Sequence, residues 1–137
     1  MNSTVRALLL TLFCGIIWGN CAMSESSTFG SFAPVRMTSD WLYVAALGCS
    51  IALGLFISDA RTIFYSVVGA SVITALVFTG GLLASAMAMG TSTLDLLLLF
   101  AFQQSAPRVM MTSVLGLVAA FVAAVVRINF NLFPDME

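Results

Sequence analysis

Residues 62–89, TIFYSVVGASVITALVFTGGLLASAMAM, carry no charged side chain. An α-helix rises about 1.5 Å per residue, and roughly 20 apolar residues cross a hydrocarbon core of about 30 Å. This stretch is long enough to do so. The rest of the 137-residue chain agrees, with 61% hydrophobic and 8% charged residues. Its mean hydropathy is +1.08. A soluble domain carries about 25% charged residues, so this chain could not cover a water-facing surface. The composition therefore predicts an all-α integral membrane protein. It excludes a disordered tail, and five scattered arginines against six acids form no nucleic-acid surface. The three cysteines, Cys14, Cys21 and Cys49, contain no C-x-x-C pair and predict no disulfide framework.

Working outward from this run, the preceding residues Asp59-Ala60-Arg61 are the only break before another apolar stretch, Trp41 to Ser58. So short a link predicts an antiparallel hairpin between the two helices, with Asp59 and Arg61 pairing at headgroup level. Ser39 or Asp40 is placed to cap the helix at 41, and Trp41 and Tyr43 to anchor it at the interface. Residues 23–40, MSESSTFGSFAPVRMTSD, are the one polar stretch and predict a loop. Upstream, residues 7–22 form a short apolar run with Trp18 at interface position. The alternative reading of that run is a signal peptide cleaved before Ala22, leaving three spans.

Downstream, Ser92 and Asp95 match a capping box before a short apolar helix at 93–104. One helix from there to Arg127 would be about 50 Å long, too long for a bilayer. The expectation is therefore a separate half-helix or interfacial helix packed against other protein. Gln103, Gln104 and Pro107 interrupt before the last span, 109–126. The predicted fold is a single membrane domain, residues 1–137: a bundle of about four transmembrane helices plus this short one. Arg6, Arg61 and Arg127 outnumber Arg36 and Arg108 across the alternating ends, which predicts cytoplasmic N- and C-termini.

Small residues recur at four-residue spacing in every span. Gly15 and Gly19 mark the first, Ser50 and Gly54 the second, Gly80 and Ala84 the third, Gly116 and Ala120 the fourth. Lipid offers no hydrophobic drive between helices, so close backbone approach along such stripes supplies packing energy. Their presence predicts a tight bundle.

Catalytic chemistry has little to draw on. Without histidine or lysine there is no imidazole ligand, no Schiff-base attachment point and no conventional base for a serine nucleophile. No cofactor or metal is expected. Asp95 is the only acid near an apolar run, and Gln103, Gln104 and Arg108 are its candidate companions in an ion-handling site. The preferred expectation is a non-catalytic subunit packing with other integral membrane subunits and lipid, with Asp95 as a helix cap. The alternative is a small self-associating transporter or channel using Asp95.

Overall fold

The computed structural model describes residues 3–24, 39–57, 59–88, 90, 94–130 and 132. It contains four helices: α1 (Ser3–Ser24), α2 (Ser39–Phe56), α3 (Ala60–Ala88) and α4 (Leu94–Asn129). No strand occurs among the described residues. In α1, α3 and α4, the stretches Thr4–Ser24, Ala60–Ala84 and Ala106–Asn129 are long and apolar enough to cross a membrane, whereas α2 offers the shorter apolar stretch Tyr43–Phe56. The protein is thus a membrane-embedded, all-α bundle.

Around the bundle the helices run in the order α1, α3, α4, α2, with α1–α4 and α2–α3 on the diagonals. Gly15 packs on Ala70 and Ile73, and Gly19 on Thr74 and Val77, so α1 and α3 run parallel. Cys14 donates to the Cys49 carbonyl and Trp18 to that of Ala46, which makes α1 and α2 antiparallel. The expected α2–α3 hairpin is therefore corrected. The two helices follow one another closely in the chain, but they stand diagonally opposite and barely touch. The small face of α1 draws α3 away, and the Thr74 hydroxyl donates to the Gly15 carbonyl at 3.2 Å to fix that contact.

The side chains are arranged for lipid rather than water. Buried positions mix small or polar residues, such as Ser50, Ala70, Thr74 and Ala120, with a few bulky ones, Trp18, Leu53, Ile63 and Phe78. Outward positions are large and apolar, including Leu8, Leu12 and Ile16 on α1 and Phe64, Val68, Val72 and Leu76 on α3. Such a surface would collapse or aggregate in water.

The expected separate helix at 93–104 is not formed. Residues from Leu94 onward are the beginning of one 36-residue helix, with Pro107 inside it. Pro107 has no N–H to give the Gln103 carbonyl, yet Gln103 is exposed and the helix continues past the gap. The length argument fails because the helix need not lie wholly within the bilayer. Arg108 and Arg127 stand about 28 Å apart along its axis, close to one hydrocarbon thickness. The part before Arg108 runs on past that level.

Helix ends carry their own chemistry. Gly90 adopts φ 70°, the left-handed geometry that glycine tolerates, and its N–H donates to the Met87 carbonyl to close α3. Asp59 is the N-cap of α3: its carboxylate accepts from the Thr62 hydroxyl at 2.9 Å and from the Thr62 N–H at 3.2 Å. The expected pairing with Arg61 reduces to a 3.4 Å bond from the Arg61 backbone N–H and a minor contribution of its charge. The Ser92 cap lies outside the described residues, as does the side chain of Asp95.

The Thr62 hydroxyl, followed by the two backbone N–H groups, holds the Asp59 carboxyl below its ordinary pKa. A group depressed in the folded state stabilises the fold above its unfolded pKa and loses that contribution as pH falls through the folded value. Stability measured by chemical denaturation in detergent should therefore decline on acidification below about pH 4. Asp59→Asn should remove that part of the decline; an unchanged acid slope in the variant would refute the cap.

Candidate functional site

Trp18 fills the centre of the bundle. It is 1% exposed, so its expected place at the membrane interface is corrected. The ring lies across the α1–α4 diagonal, where its Cζ2–Cη2 edge meets Gly116. Its indole Nε1 donates to the Ala46 carbonyl on α2 at 3.3 Å, and the Ser50 hydroxyl donates to the same oxygen at 2.9 Å. A side chain at position 116 would collide with the ring, so only glycine lets α4 approach. One level along, a Cβ on Gly54 would strike the Ala120 carbonyl, seating α2 on α4.

The small-residue positions divide by face. Gly15, Gly19, Ser50, Gly54, Gly116 and Ala120 all lie in helix contacts. Gly80 and Ala84 do not: both are exposed, and a Cβ added to Gly80 would meet nothing within 4 Å among the described residues. Gly81 is the contact position instead, lying under the Met23 side chain. A helix apolar all round gives no phase, so the sequence fits a stripe through Gly80 or through Gly81 equally.

The polar residues do not converge. One continuous α4 puts Asp95 and Arg108 about 20 Å apart along the axis, so the fold-back that would pair them is absent. Gln103 is exposed, and the side chain of Gln104 lies outside the described residues. Arg108 stands apart from the other three. Its guanidinium carbon sits 6.0 Å from the centroid of the Phe78 ring, itself 0% exposed. Its Nη1 is buried and has no hydrogen-bond partner among the described residues. A cation over an aromatic face gains about 0.5–2 kcal/mol, whereas a desolvated charge without a counter-ion costs several.

Beside Arg108 lies a cavity of about 60 Å³. It lies between α2 and α4, with Leu47 on the one and Met111 and Leu115 on the other, and Trp18, Cys21 and Ala22 of α1 also line it. Leu47, Met111 and Leu115 are themselves exposed, so the cavity opens sideways as a groove. At the far end of α4, Arg127 donates through Nη1 to the Leu55 carbonyl at 3.4 Å, supplying a cation to the C-terminal end of α2. The two arginines of α4 thus differ in kind: one is engaged with the bundle, the other is presented to a groove.

Of the four polar residues expected to act together, only Arg108 is among the described residues that border this groove. Tyr43, Leu47, Met111 and Leu115 come from two helices far apart in the chain, and only the parallel α2–α4 contact brings them beside it. Among the described residues no group of three acidic, cysteine or histidine side chains is placed to hold a metal ion.

Gly116→Ala should destabilise the bundle by about 1–3 kcal/mol, the usual cost of overpacking. In a Trp18→Phe background the colliding ring edge is gone, so the added methyl should cost much less. Detergent unfolding of the four proteins gives the coupling, and equal costs in both backgrounds would show that the ring does not set the approach of α4.

Comparison of the chain with family models, curated proteins and solved structures finds no match.

Proposed function

We propose that this protein is a small, non-catalytic subunit that packs among other integral membrane subunits and supports the assembly or stability of a larger complex. The observation that carries this reading is the beginning of α4. It runs about 20 Å beyond the level of Arg108 and is apolar in sequence, LDLLLLFAF. Leu99 is 62% exposed there and Phe102 73%. Apolar side chains beyond the edge of the hydrocarbon core need cover from another protein surface. The dispersal of Asp95, Gln103 and Arg108 along one helix weighs against a polar conduction path through this chain.

In this reading all four helices cross the membrane. Arg6, Arg61 and Arg127 gather at the end where α1 and α3 begin and α4 finishes. The excess of arginine supports a cytoplasmic location for that end, and hence for both termini.

Extraction in mild detergent followed by mass determination should find the chain with unlike partners at fixed stoichiometry. Leu99→Glu and Phe102→Glu should release it from them while leaving its helical content intact. A pure homo-oligomer, or undiminished association of both variants, would overturn the proposal.

Orientation has its own test, in a background lacking the native cysteines. Ala60→Cys should be labelled from the cytoplasm and Gln103→Cys from the opposite side. Labelling of both from one side would refute four crossings.

A further inference from the structure

We infer that the groove between α2 and α4 holds an anionic phospholipid, with its phosphate on the Arg108 guanidinium and one acyl chain lying between Leu47 and the Met111 and Leu115 side chains. Three independent features meet there. The first is charge: Arg108 lines the groove, its enclosed Nη1 has no hydrogen-bond partner among the described residues, and the rest of the guanidinium fork matches phosphate oxygens in a way few groups do. The second is depth. Arg108 lies about one hydrocarbon thickness from Arg127, and the exposed rings of Trp41 and Tyr43 begin α2 at the same end of the bundle. Aromatic residues of this kind sit at headgroup level, where lipid phosphates are.

The third feature is shape and polarity. Below the guanidinium the groove is lined almost entirely by carbon, with Leu47 on one side and Met111 and Leu115 on the other. Successive positions 108, 111 and 115 carry it along the helix axis toward the membrane centre, the direction an acyl chain takes from its headgroup. A free anion would gain nothing from that apolar length, whereas an amphiphile uses both parts. A zwitterionic lipid brings its own cation to the phosphate and leaves Arg108 less well neutralised. The inference concerns a different face from the α4 extension and does not rest on the subunit proposal.

The test is native mass spectrometry of the detergent-purified protein, together with its bound partners, titrated with phosphatidylglycerol, phosphatidylcholine of the same chains, and inorganic phosphate. One phosphatidylglycerol should be retained with about tenfold preference over phosphatidylcholine, equivalent to about 1.4 kcal/mol. Arg108→Gln should abolish the preference, Arg108→Lys should keep part of it, and Arg127→Gln should leave it unchanged. Leu115→Trp, which narrows the groove while keeping the cation, should weaken retention of both lipids; it also decides the matter if Arg108→Gln does not fold. Several results would overturn the inference: no headgroup preference in the parent protein, full preference in Arg108→Gln, or undiminished retention in Leu115→Trp. Displacement of the lipid by inorganic phosphate would assign the site to a free anion. Loss of a bound protein on Arg108→Gln, with lipid retention unchanged, would assign it to a partner's carboxylate.

Discussion

In a bilayer the apolar side chain that stays on the outside of a bundle is as well solvated as the one that goes in, so burial alone cannot choose which helix faces meet. Here the choice is made by one bulky ring and the glycine that makes room for it. Trp18 reaches across the α1–α4 diagonal to Gly116 while its N–H holds the Ala46 carbonyl of α2. Three helices are fixed by that side chain, and α3 is fixed to α1 by Gly15, Gly19 and the Thr74 hydroxyl. Dispersion between closely approached backbones, with a few hydrogen bonds that have no competing water, does what the hydrophobic effect does elsewhere.

This explains how unevenly the sequence could be read. Membrane class and the approximate limits of α1, α2 and α3 follow from apolar length, because the bilayer imposes that length. Facing does not follow, since α3 is apolar on every side and a four-residue stripe can be drawn through Gly80 or through Gly81 equally well. Only the position of Met23 distinguishes them. Trp18 was misjudged for a related reason: tryptophan near a span's end is common at interfaces, and nothing local shows that a glycine nearly a hundred residues later is shaped to receive it. The pairing of α2 with α3 was assumed from the shortness of their link, but a link limits the distance between two ends and leaves the lateral neighbour open. The candidate polar site was half legible. Arg108 was visible as a cation beside an apolar run, while the groove that gives it meaning exists only in the tertiary structure.

The two arginines of α4 show how one residue type takes two roles in a low-dielectric setting. Arg127 is engaged by a backbone carbonyl that α2 leaves unsatisfied at its end, so its desolvation is offset within the chain. Arg108 has an aromatic face on one side and an open channel on the other, and its Nη1 is left without a partner among the described residues. A cation in such a position is retained at a cost to the isolated chain. That cost is recovered when an anion arrives, which couples the stability of this end of the bundle to the composition of the surrounding leaflet.

The ring order α1, α3, α4, α2 also constrains how the molecule comes together. If each neighbouring pair in sequence were also a neighbouring pair in space, the bundle could grow one hairpin at a time as the spans enter the bilayer. Here α2 and α3 follow one another in the chain yet have almost no interface to hold them. The largest interface, α1 with α3, joins segments separated by the whole of α2 and cannot form until α3 has entered the membrane. If the spans enter in chain order, α1 and α2 precede the α1–α3 interface, and the ring closes only with the last helix, whose Gly116 meets Trp18 of the first. Long sequence separation of the decisive contacts slows folding, and the Trp18–Gly116 contact spans most of the chain.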